Sequence, residues 1–373
     1  MALWPDSIVL AGATIPLASV LADVTIHHGR QDVNDEPTAS TCQLTFHDVT
    51  HAFAKGFRVG DTLTVTVRDG AAPALPRFTG RITDASLDVD ELTAIATAKL
   101  STLSQYVIGA TGTWPVEAWS ARVSRCFAEA GLSSDLVLQP EPGFDPPLAA
   151  RDSATAGPTT LADYLTFLAP MIGAAVTDQR DGKILVQAIG ARTLGAATSL
   201  DPALVEYAPV WTQALPAGNI VTVRYTGDQS ESVTVQDDSS IAVYGKRPRT
   251  IDTSFTASAD ATARAQSALA RGSFSHWNIP AAPVLAGLDL SVGQPISLSS
   301  MPPASPEDPW QPILEGWTDT ITRDDWRMDL ALSDPLVSGL LLPWNAIPSS
   351  YLWNSINQTV VWRDALSLAD LGA

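Results

Sequence analysis

Basic side chains are scarce in this sequence, and their scarcity excludes several kinds of partner. The 373 residues include 22 lysines and arginines against 40 aspartates and glutamates, which gives a formal net charge of −18. A protein that binds nucleic acid by neutralising phosphates needs a cationic face, and so does a protein that docks on an anionic membrane. We therefore expect neither kind of binding.

Cysteine and long apolar runs are scarce too. Cys42 and Cys126 are the two cysteines, too few for a disulfide framework or a four-thiolate metal site. One bridge between them is an alternative, and two buried free thiols are the favoured interpretation. No run reaches the 18 uncharged apolar residues of a membrane span, and residues 1–22 lack the basic start of a signal peptide.

Apolar residues, by contrast, make up 45% of the chain, and charged residues make up 17%. That balance is typical of a folded protein rather than a disordered one. The length predicts two or three domains, each large enough to bury a core. The small charged fraction also indicates that part of the surface is covered by other chains in the working assembly.

The first hundred residues show the alternation of apolar and polar side chains that is typical of half-buried strands. The strand-like segments, separated by turn signals, are 20–26, 40–46, 61–67, 77–83 and 92–98. Short strands at this spacing predict a small barrel or sandwich. We expect a mainly β protein whose first β-barrel covers residues 1–109.

The middle of the chain changes to a helical period. Apolar residues at steps of three and four predict an amphipathic helix over 116–131 and a second helix that opens near 157 and stops near Pro170 and Gly173. Short strands follow at 173–177 and 183–188. We expect an α/β insert over residues 110–199.

Strand signals return after residue 200. The expected elements are a hairpin, an alanine-rich helix and further strands, at 219–225 with 231–235, at 259–271, and at 288–298 and 313–332. Proline and serine crowd residues 299–312, which indicates a loop. This pattern predicts a second β-barrel over 200–342, with the helix 259–271 inserted in it.

Two distant segments share a pattern of turn, strand, proline-bearing loop and glycine-containing strand. The first reads Phe57-Arg-Val-Gly-Asp-Thr-Leu-Thr-Val and later Arg77-Phe-Thr-Gly-Arg-Ile-Thr-Asp. The second reads Leu290-Ser-Val-Gly-Gln-Pro-Ile-Ser-Leu and later Ile313-Leu-Glu-Gly-Trp-Thr-Asp. The mid-strand glycines, Gly80 and Gly316, predict a bulge or a barrel corner. Chance similarity is the alternative, and we favour two related barrels that flank the helical insert.

Several motifs, in their order along the chain, resemble the minor tail proteins of long-tailed (siphovirus-type) actinobacterial phages. They are Val24-Thr-Ile-His-His-Gly-Arg-Gln-Asp-Val33, Thr41-Cys-Gln-Leu-Thr-Phe46, Val59-Gly-Asp61, Phe78-Thr-Gly-Arg-Ile82, Asp237-Asp-Ser-Ser-Ile-Ala-Val-Tyr-Gly-Lys-Arg247 and Glu315-Gly-Trp-Thr-Asp319. That family is similar to the baseplate hub proteins of tailed phages. The resemblance implies two β-barrels per chain, which form as a trimer a pseudo-sixfold ring between a sixfold tail tube and a threefold tip.

The histidine and acidic motifs give little support for a catalytic or metal site. His47-Asp-Val-Thr-His51 has the spacing of a zinc-protease helix, but it follows a strand, which favours ordinary surface histidines. His27 and His28 are neighbours on a strand, so their rings point to opposite faces. The acidic clusters that a glycosidase would need fall at turns, where solvated carboxylates are typical: 88–91, 237–238 and 324–325. We expect a protein without catalytic residues, cofactor or metal.

One basic cluster stands out against the acidic background: Lys246, Arg247 and Arg249. As a nucleic-acid site it is isolated. We expect an inter-subunit salt-bridge patch or a loop instead.

Aromatic residues dominate the C-terminal segment. Trp344, Trp353 and Trp362 recur every nine residues, with Tyr351 between them. Tryptophan anchors interfaces through its large buried area. The alternatives are a segment that packs back onto its own barrel and a tryptophan-rich arm, residues 343–373, that docks on a neighbouring subunit.

These features together predict a structural virion protein of the phage tail tip, made in the host cytoplasm. Its expected partners are copies of itself, with a trimer favoured, and other tail proteins: the distal tail or tube, the tape measure, and receptor-binding or tip proteins. DNA would only pass through, repelled by an acidic lumen. The alternatives are a carbohydrate-binding or cell-wall-acting module and a sixfold distal tail adaptor.

Overall fold

The protein is represented by a computed structural model that describes residues 7–10, 13–16, 21–30, 38–47, 58–67, 75–110, 112–193, 197–201, 205, 210–226, 229–285, 288–298, 310–322, 326–334, 341–343 and 365–367. The strands of the N-terminal part are β1 (Ser7–Leu10), β2 (Ala13–Pro16), β3 (Leu21–Gly29), β4 (Thr41–His47), β5 (Thr62–Val67), β6 (Leu75–Leu87) and β7 (Glu91–Thr97).

The strands of the middle part are short: β8 (Val107–Ile108), β9 (Thr113–Trp114), β10 (Glu117–Ala118), β11 (Leu136–Gln139), β12 (Pro147–Leu148), β13 (Arg151–Asp152), β14 (Thr159–Thr160), β15 (Ala175–Asp178), β16 (Ile184–Gln187) and β17 (Thr198–Leu200). The remaining strands are β18 (Thr212–Ala214), β19 (Ile220–Tyr225), β20 (Glu231–Gln236), β21 (Pro248–Asp252), β22 (His276–Val284), β23 (Ile296–Leu298), β24 (Ile313–Thr322), β25 (Trp326–Ser333), β26 (Leu341–Pro343) and β27 (Ala365–Ser367).

The α-helices are α1 (Trp119–Glu129), α2 (Ser153–Ala156), α3 (Leu161–Ile172), α4 (Asp238–Tyr244) and α5 (Ser258–Gly272). Short 3-10 segments occupy Lys99–Gln105, Ser133–Asp135 and Ile189–Thr193. The protein is therefore mainly β with a few helices, as the sequence predicts. No helix among the described residues is long and apolar enough to cross a bilayer.

An eleven-stranded antiparallel sheet dominates the fold, in the order β18-β22-β25-β24-β3-β4-β7-β6-β5-β1-β2. Within the described part of the chain it runs from the edge strand β18 to the edge strand β2 without closing into a barrel. The arrangement in two barrels stays a prediction.

Strands β24 and β3 join the C-terminal and N-terminal parts of this sheet. Gly316 pairs with Gly29, and Trp317 pairs with His28. The His28 and Trp317 rings lie 4.5 Å apart between centroids, and burial lowers the pKa of His28 to about 3, so its ring is neutral at physiological pH. The neighbouring His27 is exposed, as the alternation along a strand predicts.

The same strand order occurs twice in the sheet. In the N-terminal repeat it is β3-β4-β7-β6-β5, and in the C-terminal repeat it is β18-β22-β25-β24, with β23 beside the start of β24. The contact of β23 includes the hydrogen bond from the Leu298 N–H to the Trp310 carbonyl at 2.9 Å. The internal repeat is therefore present in the three-dimensional strand order.

The turn before the third strand of each repeat, β5 or β23, forms the same hydrogen bond. The Gly60 N–H donates to the Ile82 carbonyl at 2.7 Å, and the Gly293 N–H donates to the Leu314 carbonyl at the same distance. Both glycines have positive φ, at 97° and 81°, a conformation that favours glycine. Ile82 and Leu314 are thus equivalent positions of the two repeats.

A β-bulge follows each of these equivalent positions. The pairing register shifts between Ile82 and Asp84 in β6 and between Leu314 and Gly316 in β24. One extra residue therefore lies in each strand at the same point. Asp84 and Gly316 are equivalent as a result.

The two mid-strand glycines that the sequence pattern aligned are not equivalent. Gly316 follows its bulge, as predicted, whereas Gly80 precedes Ile82 and pairs regularly with Leu63. A Cβ at Gly80 would lie 2.5 Å from the Thr97 carbonyl oxygen. Gly80 is required by a close backbone approach rather than by a bulge, and sequence spacing cannot separate these two reasons.

Buried side chains form two cores. The first core lies on the large sheet and includes Phe46, Phe78 and Trp326. The second surrounds α1, α3 and α5 and includes Trp119 and Leu168. The helices and the long sheet thus belong to separately packed regions of one chain.

The segment 219–272 packs in the second core. Strands β20, β19 and β21 form a three-stranded sheet that α5 covers, and their buried residues Val221, Val223 and Ile251 belong to the helical core. The sequence assigned this segment to the second β-barrel region. Strand alternation marks a buried face but does not say which core the face joins.

The predicted helices are present with shifted ends. Helix α1 begins at Trp119 rather than at residue 116, because β10 pairs with β12 just before it, and Val116 is 58% exposed. Helix α3 begins after Thr160, whose hydroxyl accepts the Asp163 N–H, and it ends at Gly173 in the left-handed conformation.

Both cysteines are free and buried, Cys42 in the first core and Cys126 in the second. Burial raises the pKa of both thiols, that of Cys126 to about 12, so neither forms the reactive thiolate at neutral pH. We expect no alkylation by iodoacetamide in the native protein and two modified thiols in urea, counted by intact mass. Rapid labelling without denaturant would contradict this burial.

Candidate functional site: an arginine-lined cavity and its flanking ion clusters

Part of the predicted interface lies outside the described residues: Trp344, Tyr351, Trp353, Trp362. His51 and the pair 324–325 also lie outside them. Strand β27, within the tryptophan-rich arm, pairs antiparallel with β26 at the start of the arm. The docking role of the arm stays a prediction.

The described acidic clusters lie at turns and helix ends. Asp88, Asp90 and Glu91 are exposed at the tip of the β6–β7 hairpin. Asp237 has a more specific role than a solvated turn residue, because it caps α4 by accepting the Ser239 and Ser240 N–H groups. No three histidine, cysteine or acidic side chains converge as metal ligands in the described ranges.

The basic cluster separates into side chains with different surroundings. Lys246 is exposed, whereas Arg247 and Arg249 are half-buried. The backbone N–H of Arg247 donates to Asn219 Oδ1 at 2.8 Å. Arg249 lies in β21 and lines a cavity. The inter-subunit role of the three residues stays a prediction.

The cavity into which Arg249 faces has a volume of about 420 Å³ and lies between α3, α5 and the end of β3. We call it the arginine cavity, after four of its lining residues: Arg30, Arg249, Arg264, Arg271. Its other walls are largely apolar, with Leu100, Leu103, Leu165, Val176 and Ile189 among them.

Two of these arginines are deeply buried on α5. Arg264 is 5% exposed and Arg271 8%. Arg264 donates through Nε and Nη2 to the Pro170 carbonyl at 3.2 and 2.9 Å, and Arg271 Nη1 donates to Ser267 Oγ at 3.0 Å. These acceptors are neutral, so they satisfy hydrogen bonds without neutralising the charges.

Burial and mutual repulsion act on the charges around the arginine cavity. Burial, with the nearby charges of Arg249 and Arg271, lowers the pKa of Arg264 to about 9. Burial also lowers the pKa of Arg271 and of Arg249. Glu141 is the acidic group whose charge opposes this effect at Arg264 and Arg271, and burial raises its own pKa. The cavity therefore carries an excess of positive charge in an acidic protein.

Sequence reasoning missed this cavity, although part of its signal is present in α5. Arg264 and Arg271 recur at helical spacing with Ala261, Ala265 and Ala268 on the buried face. Arginine on the small-residue face of an amphipathic helix indicates a buried charge. The contributions from β21 and β3 are distant in sequence and give no local signal.

Arg30 connects the arginine cavity to a buried ion cluster on the bulge of β24. Glu315 accepts from Arg30 Nε at 2.9 Å, from Arg192 Nη1 at 2.8 and 3.1 Å, and from Ser333 Oγ at 2.7 Å. Burial alone would raise the pKa of Glu315, but the two arginines lower it to about 2. The cluster ties β3 and the 3-10 turn at Ile189–Thr193 to the bulge.

We expect Glu315 to make the protein acid-sensitive. Its pKa is lower in the folded chain than the ordinary value of 4.5, so its contribution is present above pH 4.5 and is lost as the pH falls towards 2. A shift of this size corresponds to about 3 kcal/mol. Urea unfolding at pH 5 and pH 3 measures it, and Glu315→Gln should show a weaker loss over that range. Equal losses in both proteins would refute the assignment.

A second buried ion cluster lies under the β24–β25 hairpin. Arg77 Nη2 donates to both carboxylate oxygens of Asp319, at 2.8 and 3.0 Å. The indole N–H groups of Trp317 and Trp326 donate to the same carboxylate at 2.9 Å each, and both charged side chains are fully buried. Arg77 therefore fastens β6 of the first repeat to β24 of the second.

No protein-family model matches the chain, and no curated protein sequence matches it. Solved structures of other proteins are similar to it. The 43 kDa tail protein of prophage MuSo2 from Shewanella oneidensis is similar over 89% of this chain and 99% of its own, with a TM-score of 0.60 and 14% identity. A tail protein from Neisseria meningitidis MC58 is similar over 89% and 97%, with a TM-score of 0.60 and 15% identity. Over most of its length, this chain is therefore similar in fold to these two tail proteins.

Proposed function

We propose that this chain is a structural protein of a phage tail, and that copies of it form a ring at the tail tip. Two supports are independent of each other: the fold similarity to two tail proteins over nearly their whole lengths, and the motif resemblance to minor tail proteins. A trimeric hub of a long-tailed actinobacterial phage is the form that we favour, with each repeat acting as one of two related barrels.

The repeated sheet edge carries the ring proposal. Inside the chain, β24 of the second repeat pairs with β3 of the first. In the strand order of the two repeats, β6 takes the place of β24, and β18 takes the place of β3. The stretch of β6 from residue 83 to 87 has no partner on its β5 side among the described residues, and β18 is an edge strand. A second copy that repeats the internal junction would join these two edges.

The equivalence of the repeats also predicts a register for this joint. Asp84 takes the place of Gly316, and Thr212 takes the place of His27, because each holds the same position relative to its paired neighbours. Since Thr318 pairs with His27, Ser86 of one copy should pair with Thr212 of the next. Both residues are exposed.

Disulfide trapping tests this contact directly. Opposed residues of an antiparallel pair have Cα atoms about 4.5–5.5 Å apart, which is within the range of a disulfide. We expect Ser86→Cys combined with Thr212→Cys to give oxidised species that contain several chains on a non-reducing gel. The buried native cysteines should not interfere.

Two controls make the trapping specific. Ser86→Cys with Gln213→Cys is displaced by one residue, which turns the second thiol to the opposite face, and Ser86→Cys with Thr234→Cys places the thiol on the separate small sheet. Cross-linking of all three pairs at equal yield would contradict the register. A strictly monomeric protein in which none is trapped would contradict the ring.

The mass of the native assembly separates the remaining functions. Mass photometry should show three copies of the 39.4 kDa chain for the hub. Six copies would favour the distal tail adaptor, and a monomer with affinity for glycans would favour the carbohydrate-binding or cell-wall-acting module. The proposed location in the virion tail tip is tested by labelling this chain in assembled particles.

Truncation after Leu342 tests the proposed tryptophan-rich arm. If residues 343–373 dock on another tail protein, the shortened chain should keep the thermal stability of the isolated subunit and lose that partner. A fall in the stability of the isolated subunit would instead favour packing of the segment on its own barrel.

The charge of the chain supports a role around a DNA passage. The β6–β7 hairpin tip carries exposed acidic groups at Asp88, Asp90 and Glu91. Acidic groups that face a lumen repel the DNA backbone, so DNA would pass without sticking. Rings of lysine or arginine on the lumen of an assembled particle would contradict this part of the proposal.

A further inference from the structure

The arginine cavity contains more positive charge than the residues around it neutralise. Among the described residues, no carboxylate forms an ion pair with Arg249, Arg264 or Arg271. The hydrogen-bond acceptors of Arg264 and Arg271 are a carbonyl and a hydroxyl group. Burying cations without anionic partners is unfavourable. Glu141 is the acidic group whose charge acts on Arg264 and Arg271, and one carboxylate offsets at most one of these three cations. Among the described residues, the cavity therefore has an excess of positive charge that an anion would neutralise.

The shape of the cavity restricts what the anion can be. A volume of about 420 Å³ lies within the usual range of small-molecule sites. Besides the arginines of α5 and β21, the lining includes apolar residues of α3 and of the 3-10 segment at Lys99–Gln105. A bare inorganic anion would leave these apolar residues in contact with water.

We infer that the arginine cavity binds an amphipathic anion, a carboxylate or phosphate head group held by Arg249, Arg264 and Arg271 with a short apolar body against Leu100, Leu103 and Leu165. Guanidinium groups match both head groups because they donate paired hydrogen bonds in a plane. This inference does not depend on the tail function, since the cavity lies within a single chain.

Calorimetry and thermal unfolding of the full chain test the site with three probes. Sodium octanoate has the anion and the apolar body, octanol has the body without the charge, and inorganic phosphate has the charge without the body. We expect octanoate to bind and to raise the unfolding temperature, octanol to have no effect, and phosphate to bind more weakly. Equal stabilisation by octanol, or no binding of octanoate or phosphate at millimolar concentration, would overturn the inference.

If phosphate binds and octanoate does not, the head group is identified as phosphate, and an alkyl phosphate should then bind more tightly than either. If octanoate binds and octyl phosphate, which has the same apolar body, does not, the head group is a carboxylate. Either result supports an anion site and distinguishes the two chemical sources.

Arg271→Met removes one charge and keeps an apolar side chain of similar length. We expect octanoate binding to weaken at least tenfold, while the unfolding temperature without octanoate rises, because an unpaired buried charge has been removed. A residue that serves only structure would lower the unfolding temperature instead. Arg249→Met should weaken binding in the same way and reports on the site if Arg271→Met does not fold.

Arg224→Met is the matched control, because Arg224 is an exposed arginine paired with Asp252 on the same small sheet. Its octanoate affinity should equal that of the unaltered protein. Unchanged octanoate affinity in both Arg271→Met and Arg249→Met would show that the arginine cavity is not the site.

Discussion

Replacing Asp319 by alanine should cost about 3–5 kcal/mol of unfolding free energy, the usual loss when one partner of a buried ion pair is removed. The substitution leaves the Arg77 guanidinium fully buried without an anion. It also removes the acceptor of the Trp317 and Trp326 indole N–H groups. Urea denaturation followed by tryptophan fluorescence measures the loss, since both indoles lie at the substituted site.

The exposed ion pair between Arg224 and Asp252 provides the matched control. Its two side chains are 47% and 38% exposed, and exposed pairs contribute about 0–1 kcal/mol. Asp252→Ala should therefore leave the unfolding midpoint almost unchanged. If Asp319→Ala and Asp252→Ala have the same small effect, the buried cluster does not hold the two repeats together.

A double variant separates lost attraction from the cost of an orphaned charge. Arg77→Met combined with Asp319→Leu removes both charges and fills the space with apolar groups. Such replacements are often neutral or stabilising, so the double variant should be more stable than Asp319→Ala alone. The remaining deficit reports on the two indole N–H groups, which still lack an acceptor, and on the Leu288 carbonyl, which loses the Arg77 Nη1 donor.

Local patterns predicted many of the longer elements of this fold because such patterns encode one face of one element. Alternation located β4, β5 and β7, three- and four-residue steps located α1 and α3, and the alanine-rich composition located α5. The positive-φ turns at Gly60 and Gly293 were visible as Val-Gly pairs before strands. These features depend on neighbours in sequence, so a single sequence reveals them.

The remaining features depend on neighbours in space. Trp310 is 1% exposed beside β23, although proline and serine around it indicate a loop. The arginine cavity combines side chains from β3, β21 and α5. The joint between β24 and β3 depends on which of several alternating strands meet, and alternation carries no information about partners. The repeat was recognised from its glycines, yet its true equivalence is marked by the bulges.

A second large loss of stability should follow a substitution at Gly316, in the joint between β24 and β3. A Cβ there would lie 2.3 Å from the His28 carbonyl oxygen and 2.6 Å from that of Arg30. Because both atoms are backbone, no side chain can rotate away, and β24 must separate from β3. We expect Gly316→Ala to cost about 3 kcal/mol, near the upper end for overpacking, in urea unfolding of the full chain.

Gly272→Ala is the control for this substitution. It lies at the end of α5, its added Cβ would meet the nearest atom, the Gly218 carbonyl oxygen, at an ordinary 3.4 Å, and alanine is favoured over glycine in a helix. Its stability should be unchanged or slightly higher. Equal stability of Gly316→Ala and Gly272→Ala would mean that the two strands can separate without loss. A loss at Gly316 alone would identify the β24–β3 joint as a rigid contact within the chain.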